Sequence, residues 1–184
     1  VPDGFQFAFK GSRYCVMKPK LAEAGEGLAG FFAQGFAALG NKLGPILWQF
    51  AHYRRFDRED IAGFLDLLPK ELGGVRLRHA IEPRHESYRD EKFFDLCRDH
   101  GAAIVLEDSD DYPTIEADTA DFAYARFQRM NEDIQTGYDQ AALDDFATKA
   151  RTWQTAGKDA YVFMINGAKI RAPAAALALQ ERLR

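Results

Sequence analysis

Pro45-Ile46-Leu47-Trp48 is a short apolar run that stops abruptly at the polar Gln49. Five further runs share this design. Phe5-Gln6-Phe7-Ala8-Phe9 ends at Lys10, His79-Ala80-Ile81 ends at Glu82, and Ala103-Ile104-Val105-Leu106 reaches Asp108. Phe122-Ala123-Tyr124-Ala125 ends at Arg126, and Tyr161-Val162-Phe163-Met164-Ile165 ends at Asn166. Short apolar runs separated by helical sequence are how parallel strands read, because helices cover both faces of such a sheet. In those folds the carboxyl ends of the strands point to one side, where ligands bind. The pattern therefore locates a site before any motif is considered.

The intervening segments carry helical period. Leu28, Phe31, Phe32, Phe36, Leu39 and Leu43 fall on one stripe that Gly44-Pro45 ends. Asp57 is a good N-cap for a helix bearing Ile61, Phe64, Leu65 and Leu68, and Pro69 stops it. Asp90 opens a helix with Phe93, Phe94 and Cys97, and Gly101 is placed as its C-cap. Asp139 begins a longer helix through Leu143, Phe146, Ala147, Ala150 and Trp153, closed near Gly157. Pro173 suits a first helical turn, so Ala174 to Leu183 should be helical. Residues 109–121 are polar, hold a proline and are too short for a crossover helix, so a loop or single turn belongs there.

Length and composition bound the class. At 184 residues one domain is expected, spanning 1–184. Apolar content of 47% and charged content of 28% are ordinary for a soluble protein. A net charge of -4 argues against a nucleic-acid surface spread over the whole domain, while leaving room for a local basic cleft. Cys15 and Cys97 form neither a disulfide framework nor a CxxC pair, and buried free thiols are expected. No apolar run approaches the roughly 20 residues of a membrane span. Val1-Pro2-Asp3-Gly4 has no signal-peptide character, so a cytoplasmic setting is expected unless a targeting segment preceded it.

Six strand-helix units allow two closures: an open doubly wound parallel sheet, or a TIM-type barrel short of strands. A complete (β/α)₈ barrel takes about 250 residues, so the shortfall is roughly two units. Pattern alone leaves the two nearly even. Lys42-Leu43-Gly44-Pro45-Ile46-Leu47-Trp48-Gln49 and Arg78-His79-Ala80-Ile81-Glu82-Pro83-Arg84-His85-Glu86-Ser87-Tyr88 shift the balance. With Thr119, the Tyr124-Ala125-Arg126 strand and Ala172-Pro173-Ala174-Ala175, they resemble the YecE-like family of bacterial proteins, a domain of unknown function numbered seventy-two. The resemblance implies a TIM-type barrel with these runs as strands three to eight, its first two units absent. It implies no activity, since the family's role is not established. The chain departs from the family pattern at Phe50-Ala51-His52, at Phe127-Gln128, and in lacking an acid before Asn166.

Among the chemical candidates Glu82 leads. It ends a strand, and Arg84 shares its face if the strand continues. A carboxylate beside a guanidinium suits orientation or metal binding better than acid donation. The structural alternative is an ion pair tying two units together. Asp108 reads as a second carboxylate for acid-base work or as a turn cap, with Glu107 alternating toward helices or solvent. Tyr124 and Arg126 point inward together, and an inward arginine needs an acid or an anionic ligand. His85 lies on the mouth side as a candidate base, whereas His79 opens a strand at the far end and reads as structural. Trp48, Tyr53 and Tyr88 either stack on a ring substrate or pack in the core.

Gly25-Glu26-Gly27-Leu28-Ala29-Gly30 fits GxGxxG but does not follow a strand directly, so a dinucleotide site is not expected. No HExxH, GxSxG, Walker loop or Cys/His cluster appears, and the sequence names no metal or cofactor.

The first functional expectation is an enzyme acting on a small anionic or phosphate-bearing ligand. Glu82, Asp108 and His85 would do the chemistry; Lys10, Gln49, Arg84, Tyr124, Arg126 and Asn166 would bind substrate. The second is a non-catalytic nucleic-acid or nucleotide binder using the same cations, and the third an internal salt-bridge network without a ligand. Lys10, Gln49, Glu82, Asp108, Arg126 and Asn166 are expected to line one cavity, with Glu82 touching Arg84, Arg126 or Lys10. A chain truly this short leaves the Phe5 strand as an open edge; a preceding segment is the favoured expectation, with an oligomer that covers the edge or an open barrel with a rearranged amino end as the alternatives.

Overall fold

Every pairing between the apolar runs is parallel. The structure, a computed structural model, describes residues 1–165 and 167–184, which divide into two compact units. The first comprises Val1–Ile104 with Ala117–Ala120, the second Val105–Glu116 with Asp121–Arg184. No helix among the described residues is long and apolar enough to cross a membrane.

In chain order the first unit holds β1 (Phe7–Lys10), α1 (Arg13–Val16), α2 (Gly25–Phe32), β2 (Leu43–Gln49) and α3 (Arg58–Leu67). An antiparallel hairpin, β3 (Glu71–Leu72) and β4 (Val75–Arg76), precedes β5 (His79–Glu82), α4 (Glu91–His100) and β6 (Ala103–Ile104). Its main sheet runs β1-β2-β5-β6. The second unit holds β7 (Leu106–Asp108), β8 (Phe122–Phe127), α5 (Gln140–Thr155), β9 (Asp159–Met164) and α6 (Ala172–Leu183), with sheet order β7-β8-β9. Residues 109–121 carry no helix. Thr119 ties part of that loop to the first unit, its Oγ1 donating to the Ala102 carbonyl at 2.7 Å and accepting from the Ile104 N–H at 3.2 Å.

The helix ends follow their capping residues. Asp57 accepts from the N–H groups of Glu59 and Asp60 at 3.0 and 3.1 Å, satisfying two donors that a helix start leaves open. Asp90 and Asp139 cap α4 and α5 in the same way. Gly101 closes α4 in the left-handed conformation, φ 61°.

Two local expectations fail. The stripe from Leu28 to Leu43 is not one helix: α2 stops at Phe32, Gly35 turns the chain at φ 89°, and a 3₁₀ segment follows at Phe36–Lys42. Pro45 does not end a helix either; it lies inside β2, where the register steps from Phe7↔Leu43 to Phe9↔Ile46. That bulge gives β2 one extra residue, a position that tolerates a proline without a ladder hydrogen bond. Beside it Gly44 admits the Phe7 carbonyl, which would lie 2.9 Å from a Cβ there.

Register then sorts the side chains. In the first unit Ile46, Trp48, His79 and Ile81 share the helix-covered face, where Trp48 packs edge-on to Phe31 and Phe64. Leu47, Gln49, Ala80 and Glu82 take the opposite face with Lys10, the partner of Leu47. In the second unit Leu106, Ala125, Phe127 and Val162 form the core with α5 and α6, Phe127 stacking on Phe146 at 3.8 Å.

Candidate functional site

The carboxyl ends of β1, β2 and β5 lie side by side and carry a row of hydrogen-bonded polar side chains. Lys10 Nζ donates to Gln49 Oε1 at 2.8 Å, and Gln49 Nε2 donates to Glu82 Oε1 at 2.7 Å. Arg84 Nε and Nη2 both reach that same carboxylate oxygen at 2.7 Å. The row follows from topology: Gln49 and Glu82 are register partners on adjacent parallel strands, so their side chains leave the sheet on one face. Glu82 is wholly buried, and a buried carboxylate persists where charge-assisted hydrogen bonds replace its water. Glu82 thereby fixes Arg84 directly and Lys10 through the Gln49 amide.

Above this row lies a cavity of about 310 Å³, lined in part by Lys10, Arg13, Gln49, His52, Tyr53 and Arg84. Among the described lining residues none is a carboxylate. Gly11 forms part of the wall because the Trp48 ring comes up behind it; a Cβ there would stand 2.2 Å from Trp48 Cε3.

The turn after β2 supplies the next feature. Arg54 N–H bonds the Ala51 carbonyl at 2.9 Å, placing His52 and Tyr53 at the corner of a turn. The half-buried Arg54 guanidinium anchors that turn, donating to the carbonyls of Lys18 and Pro19 and to Asp60 Oδ2. Tyr53 is 61% exposed. Its ring meets His52 edge-on, centroids 5.4 Å apart.

His85 is placed as a cap: its Nδ1 accepts from the Ser87 N–H at 3.0 Å and starts the short 3₁₀ turn Glu86–Tyr88. Ser87 Oγ in turn accepts from the Phe56 N–H at 2.8 Å. His79 is held from both sides, Nδ1 accepting from Trp48 Nε1 at 3.1 Å and Nε2 lying 2.8 Å from the Pro69 carbonyl. Those partners require the neutral ring with its proton on Nε2, and burial pushes its pKa down to about 4. Trp48 and Tyr88 are fully buried in aromatic packing, so of the three ring candidates only Tyr53 is exposed.

Asp108, Tyr124 and Arg126 belong to the second unit. Asp108 shares the helix-side face with its partner Phe127. Its Oδ1 accepts from Arg129 Nη1 at 2.8 Å and its Oδ2 from the Tyr138 hydroxyl at 3.0 Å. Burial, with the Asp108 charge second, raises the Tyr138 pKa. Glu107 takes the opposite face in register with Arg126, is 1% exposed, and accepts from Gln128. The alternation read from sequence is therefore reversed at this strand: Leu106 packs in the helix-side core, and Asp108, two residues on, leaves the strand on the same face. Tyr124 stacks on Phe163, centroids 5.0 Å apart.

Of the six strand-end residues, Lys10, Gln49 and Glu82 are brought together, and Asn166 lies outside the described residues. Arg13 and His52 were missed as cavity residues, whereas Tyr53 was read as a ring that either stacks on a substrate or packs in the core. The available signal was the cationic and aromatic cluster His52-Tyr53-Arg54-Arg55 directly after a strand end. Cys15 and Cys97 are buried free thiols, and burial raises both pKa values. Among the described residues no three His, Cys, Asp or Glu side chains are placed to hold a metal ion.

The family model described as protein of unknown function DUF72 matches residues 1–184. Two solved structures are similar. A DUF72 family protein of Thermotoga maritima MSB8 is 23% identical with TM-score 0.71, over 98% of this chain and 73% of that one. A DUF72 family protein of Enterococcus faecalis V583 is 18% identical with TM-score 0.71, over 100% of this chain and 80% of that one. At these identities the likeness speaks for the fold. No curated protein matches.

Proposed function

Because the chain belongs to the DUF72 family, whose function is unknown, we propose its role from its own side chains: it binds a small anion at the ends of β1, β2 and β5. The observation that carries this reading is the cavity lining, in which Lys10, Arg13 and Arg84 gather, the carboxylate that holds Arg84, Glu82, not being among the described lining residues. Grouped cations in a concave site favour a phosphate or carboxylate. Glu82 is a positioning residue here: behind the cavity it orients the groups that meet the ligand. In an enzyme the same arrangement would hold a phosphate-bearing substrate by its anionic end while chemistry occurred elsewhere on it.

We propose also that the fold closes as a barrel. The parallel strands are consecutive staves of one TIM-type barrel domain, and the cavity opens on its carboxyl-end face, where such barrels bind ligands. The strand-helix order and the parallel pairing support it.

Isothermal titration of the chain with inorganic phosphate and with malonate tests the binding reading. Saturable binding of at least one probe, weakened tenfold or more by Lys10→Met together with Arg13→Met, is expected. No saturable heat with either probe would overturn it.

A further inference from the structure

Resting on that reading, we propose that the anion is the phosphate of a nucleotide, free or at the end of a single strand, whose base stacks on Tyr53. A bare anion accounts for the cationic cavity but not for what adjoins it. Met17 and Tyr53 also line a second cavity, of about 660 Å³, so the exposed tyrosine stands at the junction of the two. The second cavity differs in chemistry: Lys18, Lys20 and Arg55 share its lining with Asp57 and Glu59. Mixed donors and acceptors suit the hydroxyls of a sugar and the edges of a base; they do not suit a second phosphate.

Tyr53 is also prepared for stacking. Its turn is closed by the Arg54 N–H to Ala51 bond at 2.9 Å and pinned by the Arg54 guanidinium to Asp60 at 3.3 Å. The ring is therefore exposed on a rigid corner, and rigid aromatics lose little entropy when a ligand covers them. A phosphate on the Lys10 side, a base face on Tyr53 and the polar edge of that base toward Asp57 would use both cavities with one nucleotide. Base–aromatic stacking of this kind changes affinity by on the order of tenfold or more.

Four probes titrated into the whole chain separate the terms: inorganic phosphate, ribose 5-phosphate, adenosine monophosphate and uridine monophosphate. At least one nucleotide should bind tenfold or more tightly than ribose 5-phosphate. Tyr53→Ala should bring that nucleotide down to the ribose 5-phosphate level, a loss tenfold or more beyond any change in phosphate binding, and Tyr53→Phe should retain the gain. If both nucleotides bind no better than ribose 5-phosphate, or Tyr53→Ala weakens all probes alike, the nucleotide inference fails and the anion reading survives. If no probe binds, both fall. A five-residue oligothymidylate assigns the source: tighter binding than the monomers supports a strand end, equal or weaker binding a free nucleotide.

Discussion

Truncating Glu82 to alanine would strip Arg84 and Gln49 of their shared acceptor inside a buried row. Leaving such a charge without its partner typically costs about 3–5 kcal/mol. Glu82→Ala is therefore expected to lower the urea midpoint sharply, whereas Glu82→Gln, which keeps an acceptor oxygen, should lose less; equal losses would make the row incidental. His79 gives a pH prediction. Its folded pKa, about 4, lies below the usual 6.5, so the unfolded chain binds the proton first. The neutral-ring stability is fully present above about pH 6.5 and lost as pH falls toward 4, in total about 3 kcal/mol. His79→Gln, which can accept from Trp48 and donate to Pro69, should flatten urea stability across that window. At this scale the sequence was informative where a residue closes an apolar run: Lys10, Gln49 and Glu82 were all visible. His52 and Arg13 were not, because a turn and a four-residue helix carry no periodicity to aim them. Glu107 and Asp108 were assigned to the wrong faces because Ala103-Ile104-Val105-Leu106 is apolar throughout and shows no alternation that would set its phase.

Elements were most legible where a capping residue announces them. Asp57, Asp90, Asp139 and Gly101 each mark an end that the structure keeps. Asp57→Ala should cost about 1 kcal/mol by freeing two N–H groups at the start of α3, measurable as a lower thermal midpoint. Elements governed by backbone conformation were less legible. Gly35 splits a continuous apolar stripe, and Gly73-Gly74, with φ 58° and 78°, make a hairpin too short for strand alternation to register. Gly11 is the sharpest such position. A methyl group there would overlap the Trp48 ring, and overpacking of a close-packed core costs about 1–3 kcal/mol. Gly11→Ala should destabilise the chain and weaken phosphate binding together, because the strand end cannot move without moving the cavity wall; a fully stable variant would show that the ring yields.

For the molecule as a whole, the parallel order was readable from the six runs, whereas closure was not, since pairing beyond the first and last strands has no local signal. Among the described residues β1 pairs with β2 alone and β9 with β8 alone. Phe5 and Phe7, at 45% and 36% exposure, add apolar surface beside the β1 edge. An edge of this kind templates association. A polypeptide of these 184 residues should therefore sediment above monomer mass as concentration rises, and Phe7→Lys should shift it toward monomer. A concentration-independent monomer would mean that the edge is protected.

The contact between Gly11 and the Trp48 ring also makes the protein its own optical probe. Trp48 is fully buried and hydrogen-bonded to His79, conditions that give an indole a blue-shifted emission. The indole packs against the Gly11 backbone, which lines the cavity, so an occupant lies close enough to polarise the chromophore. Filling the cavity should change the fluorescence of Trp48 without any dye, while protonating His79 should quench the same band from its other side.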